Sequence, residues 1–175
     1  MKEIPNEVKP ETPTQPEQPA PELNNLALAN AVVNKYTLWS MGAGLIPVPV
    51  VDIAAVAGFQ LKMVSDLSDV YKVQFSENAA KAIIGSLTAS LSAGYLARGY
   101  VTSLLKSIPV VGFLSAVSMP LTSGAITWAL GKVFVKHFES GGTLLTFDTA
   151  RMKSYFKDMY NQGKTAVASL KPAKA

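Results

Sequence analysis

From Leu23 onward, apolar and polar positions recur with the period of helices, and no alternating run extends far enough for a sheet. The pattern predicts an all-α protein. A first helix spans Asn24 to Met41 and ends at Gly42-Ala43-Gly44. Leu45-Ile46-Pro47-Val48-Pro49 follows, where two prolines impose an extended break. A second helix starts near Pro49, a residue suited to a first turn, with Asp52 close to the positive end of the helix dipole, and runs to about Val70. Its apolar set of Ile53, Val56, Ala57, Leu61, Val64 and Leu67 keeps helical spacing, while Gln60, Lys62, Ser65, Asp66 and Asp69 take another side.

Ser76 is the expected N-cap of a third helix that begins at Glu77 and continues toward Leu105. Between Ala79 and Leu105 the only charges are Lys81 and Arg98, a length that crosses a bilayer if both ends snorkel. Ala82, Ser86, Ser90 and Gly94 recur every four positions, with Gly85, Ala89, Ala93 and Ala97 beside them and the bulky Ile83, Leu87, Leu91 and Tyr95 on another row. A smooth row of this kind lets a second backbone approach closely, in the same chain or in another copy, and the bulky row is expected to face lipid. In a soluble bundle the same pattern would be an Ala/Gly-rich buried helix.

Ser107 to Gly131 is a run of 25 residues without charge, long enough to span a membrane. Pro120 should kink or restart the helix, with Ser118, Thr122 and Ser123 at hand to satisfy the freed carbonyl. Together with the third helix, this run predicts an apolar, membrane-inserted helical hairpin. The breaks Ile46-Pro47-Val48-Pro49-Val50 and Ile108-Pro109-Val110-Val111-Gly112 lie 62 residues apart and resemble each other, a slight sign of duplication.

Composition agrees with a membrane setting. Of 175 residues, 49% are hydrophobic and 16% charged, and residues 23–148 hold only eight basic and six acidic side chains, well below the roughly one quarter usual in soluble domains. Three regions follow: a disordered Pro/Glu-rich tail over 1–22, a helical membrane-associated domain over 23–148, and a basic amphipathic helix with a C-terminal tail over 149–175. The tail holds six of the eleven prolines and lacks the marks of a secretory signal, so the N-terminus is expected to be retained in the cytoplasm. Arg98 and Lys106 between the two spans, against nine basic residues on their flanks, place both termini on the cytoplasmic side of a bacterial inner membrane.

In the last region Asp148 caps a helix from about Thr149 to Gln162, with Gly163 as its stop. Its stripe of Met152, Tyr155, Phe156, Met159 and Tyr160 either lies in an anionic membrane surface, with Arg151, Lys153, Lys157 and Lys164 as the membrane-surface residues, or docks on the body of the protein.

Little chemistry is available. Zero cysteine removes disulfides, thiolate zinc and cysteine nucleophiles, and one His removes sites that need two. Gly163-Lys164-Thr165 lacks the glycine that a phosphate-binding loop needs five positions earlier, where Asp158 stands. Ser103-Leu104-Leu105-Lys106 and Ser154-Tyr155-Phe156-Lys157 match S-x-x-K without its companion motifs. No catalytic residue, cofactor or metal site is expected, and His137 is read as a helix-end residue. The basic C-terminus has no interleaved aromatic platform, so nucleic acid is not expected as a partner. Asp52 is the candidate functional acid, as the only charge between Lys35 and Lys62; a plain helix-start carboxylate is the alternative.

The stretch from about Ala31 to Asp148, with GAGLIPVPVVDIAAVAGFQLKMVSDLSDVY, AIIGSLTASLSAG, KSIPVVGFLSAV and SGAITWALGKVF, resembles the bacterial domain of unknown function 697 family. The G-x-I-P-x-P-x-x-D string with Gln60-Leu61-Lys62-Met63 is its most specific part. The resemblance implies a membrane-associated helical domain, found alone or joined to Era-like and dynamin-like GTPase domains, with no assigned chemistry. The function expected is therefore a non-enzymatic membrane anchor, scaffold or recruiter. Its partners would be the lipid bilayer, a GTPase or another soluble protein, and further copies of itself as a homo-oligomer. The alternative is a soluble helical bundle that inserts its apolar hairpin to form a pore or remodel a membrane.

Overall fold

Glycines at two helix crossings set the register of the bundle. The computed structural model describes residues 21–43, 49–97 and 111–170. Its helices are α1 (Pro21–Ala43), α2 (Pro49–Val70), α3 (Glu77–Ala97), α4 (Val111–Glu139) and α5 (Thr149–Ser169), with a 3-10 turn at Leu144–Thr146 and no strand among the described residues. Gly131 of α4 lies so close to Val33 of α1 that an added Cβ would come within 2.5 Å of its Cγ2, and Gly124 faces Met41 in the same way. On the other side, Gly163 of α5 sits against the Ala125 carbonyl of α4, where a Cβ would be 3.0 Å from the oxygen. Gly163 also meets Trp128 while Gly124 meets Val167, so the pairs run in opposite senses and α1 and α5 are each antiparallel to α4.

The core fills the angle between these helices. Val33 and Tyr36 of α1, Met63 and Leu67 of α2, Leu87 of α3, Leu130 and Phe134 of α4, and Phe156 of α5 are buried together. Each fully buried aliphatic or aromatic side chain contributes roughly 1.5–3 kcal/mol. The helix ends follow local chemistry. α4 closes at Gly141, whose φ of 77° is the left-handed conformation that glycine tolerates, with the Gly142 amide bonded to the His137 carbonyl at 3.0 Å. Asp148 caps α5 by accepting from the Arg151 amide at 3.1 Å.

Four expectations need correction. Gly163 does not stop α5; the helix passes through it to Ser169, because the missing side chain is what permits contact with Ala125. The bulky row of α3 does not face outward, since Ile83 and Leu87 are buried in the core. α4 neither ends nor restarts at Pro120, and Ser123 Oγ donates at 2.9 Å to the Ser40 carbonyl of α1, with the Pro120 carbonyl at 3.1 Å. Finally, among the described residues no helix is long and apolar enough to cross a membrane, which leaves the spanning hairpin without support. The apolar residues from Pro120 to Phe138 cover α1 and α5 instead of lipid: Ala125, Ala129, Leu130, Val133, Phe134 and Phe138 are all buried by protein. Of the tail expected over 1–22, Pro21 and Glu22 belong to α1, while residues 1–20 and the connection holding Arg98 and Lys106 lie outside the described residues.

Candidate functional site

Polar side chains meet where α1, α2 and α4 converge. Gln60 Nε2 donates to Thr127 Oγ1 at 3.2 Å, Thr127 Oγ1 donates to Ser40 Oγ at 3.0 Å, and all three residues are buried. Thr37, one turn earlier on α1, is fully buried too, and its Oγ1 has no protein partner. Buried amides and hydroxyls are costly unless bonded, so this junction holds three helices to one arrangement. The outside is the reverse. Ala54, Ala57 and Gly58 of α2 and Ala82, Gly85 and Ala89 of α3 are exposed, and a Cβ placed on Gly58 or Gly85 would touch nothing.

Asp66 of α2 organises the neighbouring surface. It accepts from Tyr36 Oη at 2.7 Å and from Lys62 Nζ at 2.5 Å, with Lys35 Nζ at 3.7 Å. Partial burial raises the carboxyl, but the bonds from Lys62 and Tyr36 and the charges of Lys62 and Lys35 outweigh it, so it titrates below its ordinary value. Burial, then the bond to Asp66, pushes the Tyr36 phenol up. Lys35 Nζ lies 4.7 Å from the Tyr36 ring centroid and 4.9 Å from that of Trp39, and Trp39 meets Phe59 edge to face at 5.7 Å. Trp39 is thus held by contacts while remaining 47% exposed.

The expected site residues are not drawn together. Ala82 is exposed and Ser86 and Ser90 are half-buried, with Ser90 Oγ bonded to its own helix at the Leu87 carbonyl; Gly94 follows on the same row of α3. Of the row's positions with described burial, only Ala82 is exposed. Asp52 stands in the first turn of α2. Arg151, Lys153, Lys157 and Lys164 are all exposed, whereas Phe156, Tyr160 and Val167 are buried, so α5 docks on the body and only its basic face is free. His137 stands in the last turn of α4, as read, and is buried there: its Nε2 lies 2.8 Å from the Thr143 carbonyl and its ring 4.7 Å from Phe147. No group of His, Asp and Glu suited to a metal occurs among the described residues. The sequence reading passed over Lys35, Tyr36, Trp39 and Phe59. The four-residue spacings Lys35–Trp39 and Lys62–Asp66 were visible signals, but their meeting across two helices was not.

Fold and site together define an all-α helical bundle with a polar junction inside and small apolar residues outside. Residues 24–165 match the family described as a domain of unknown function (DUF697), and the chain belongs to that family. It is also 37% identical over 148 residues to "Magnetosome membrane protein 22" of Magnetospirillum gryphiswaldense, covering 84% of this chain and 76% of that protein. No solved structure matches it.

Proposed function

We propose that this protein is a non-enzymatic, membrane-associated helical domain that acts as an anchor or scaffold on the cytoplasmic side of a bacterial inner membrane. The observation that carries the reading is a buried polar junction, with Ser40, Gln60 and Thr127 bonded to one another, beside a surface on which the small apolar residues Ala54, Ala57, Ala82 and Ala89 are exposed. Interhelical hydrogen bonds within and small residues without are what lipid contact favours. The relative's name, a magnetosome membrane protein, supports the same reading. Contact is made by the surface of the bundle, with no spanning helix among the described residues. The row of Ala82, Ser86, Ser90 and Gly94 suits a second copy, and a GTPase is the candidate soluble partner.

One observation favours the alternative of a bundle that opens to form a pore: the apolar residues of α4 from Pro120 onward are sheltered in the core. Flotation of the purified full chain with vesicles loaded with a self-quenched dye separates the two. The anchor reading expects the protein to rise with the vesicles and the dye to stay inside. Protein left at the bottom with every lipid contradicts membrane association, and rapid release of dye favours the pore.

A further inference from the structure

We infer that the bundle is polarised along its axis and meets the membrane end-on, at the end where α1 terminates, with one lysine from each helix forming a collar for anionic lipid phosphates. This inference rests on the membrane-associated reading above.

The antiparallel register fixes which residues share that end. Met41 of α1 lies beside Gly124 of α4, and Val167 of α5 lies there too, so the last turn of α1, the early part of α4 and the end of α5 are together. The first residues of α2 belong to the same end, because Phe59 pairs with Trp39 and Asp66 with Tyr36, placing lower numbers of α2 beside higher numbers of α1. α3 runs back toward it from the turn after Val70.

Charge divides along this axis. Lys35, Lys62, Lys81, Lys132 and Lys164 are, on their five helices, the charged residues nearest this end, apart from Asp52. Beyond them, residues 36–43, 53–61, 82–97, 111–131 and 165–169 carry no charge at all. The opposite end holds Glu139, Lys136, Arg151 and Lys153. Local sequence needs do not demand five helices that change character at one level.

Aromatic rings accompany three of the collar lysines, as Tyr155 accompanies Lys136 at the opposite end, 3.9 Å from its Nζ. Both tryptophans of the chain lie within four residues of a collar lysine: Lys35 Nζ is 4.9 Å from the Trp39 ring centroid and Lys132 Nζ is 5.2 Å from that of Trp128. Lys164 Nζ is 5.1 Å from the Tyr160 ring. A band of Trp and Tyr with lysines whose stems lie along the rings is the chemistry of a bilayer interface, where rings take the headgroup layer and ammoniums reach phosphate. Asp66 and Glu77 neutralise part of the collar, through partly exposed pairs that are weak and readily exchanged. Beyond the collar the uncharged length is about 12 Å on α1 and about 14 Å on α2 at 1.5 Å per residue, close to the depth of one leaflet.

The cysteine-free chain permits a direct test. An environment-sensitive fluorophore is attached at Ala57→Cys or Ala89→Cys beyond the collar, and at Gln74→Cys or Leu145→Cys in the turns at the other end. Each full-length variant is mixed with phosphatidylcholine vesicles or phosphatidylcholine–phosphatidylglycerol vesicles carrying brominated acyl chains. The first pair should shift to the blue and be quenched, and the second pair should not. Lys132→Gln and Lys164→Gln should each weaken binding to the anionic vesicles about five-fold, with circular dichroism confirming the fold. Quenching at Gln74 and Leu145 instead would overturn the orientation and leave membrane association standing. Equal affinity for both vesicles in wild type and lysine variants would overturn the collar. No binding to either vesicle would remove the membrane reading and this inference with it.

Discussion

The hydroxyl of Tyr36 donates to the carboxylate of Asp66 at 2.7 Å, joining α1 to α2 through a bond that also sets the positions of Lys35 and Lys62. Tyr36 is buried and Asp66 only partly so, which makes the phenol the dependent partner. Tyr36→Phe should lower stability by about 1.5–3 kcal/mol, the range for a hydrogen bond to a charged acceptor. Urea unfolding measures it; an unchanged midpoint would show that the bond contributes nothing to the helix pairing.

The same acid predicts the response to acid. Burial raises the Asp66 carboxyl, but its bonds to Lys62 and Tyr36 bring it below the unfolded value of about 3.9. A depressed carboxyl stabilises the fold above the unfolded pKa, and that contribution is lost as pH falls through the folded one. Asp66→Asn should therefore be less stable than wild type at neutral pH, with the difference shrinking below about pH 4. Thermal melts across that range test it, and a difference that grows toward low pH would contradict the assignment.

Two glycines should respond with opposite signs. Gly131→Ala drives a methyl against the stiff, branched Val33, and should destabilise by about 1–3 kcal/mol. Gly58→Ala meets nothing, and should stabilise α2 by about 0.5–1 kcal/mol. Unfolding free energies of the two variants, measured in the same buffer, check both; equal effects would mean that the α1–α4 crossing is looser than the structure has it.

On α3 the two rows should separate folding from assembly. Leu87 is fully buried, so Leu87→Ala should cost about 2–5 kcal/mol. Ser90→Leu places bulk on the smooth row, and should leave the fold of one chain intact while weakening association between copies. Thermal stability together with light scattering in detergent distinguishes them. Loss of stability by Ser90→Leu without any change in mass would remove the case for a self-packing face.

Much of the helical order was legible in particular residues. Pro49 and Ser76 located the starts of α2 and α3, and Asp148 the start of α5, because each acts on the backbone within a turn of itself. What escaped depended on how helices lie against one another. Gly163 looks like a stop in sequence and is a packing contact in space. The apolar run through Ala125, Ala129 and Leu130 reads alike whether lipid or protein covers it, so composition pointed to a span where α1 and α5 provide the cover. Of the candidate residues, Arg151, Lys153, Lys157 and Lys164 are exposed as a basic face should be, while the grouping of Lys35, Trp39, Phe59 and Asp66 needed the crossing of α1 and α2.

Membrane association is tested most directly by fractionating bacteria that express the full chain. A bundle held by an apolar end as well as by lysines should sediment with the membranes and remain there in high salt, which screens the collar but not the apolar contact. Recovery of the protein in the aqueous fraction without detergent, as a single monodisperse species, would contradict the account.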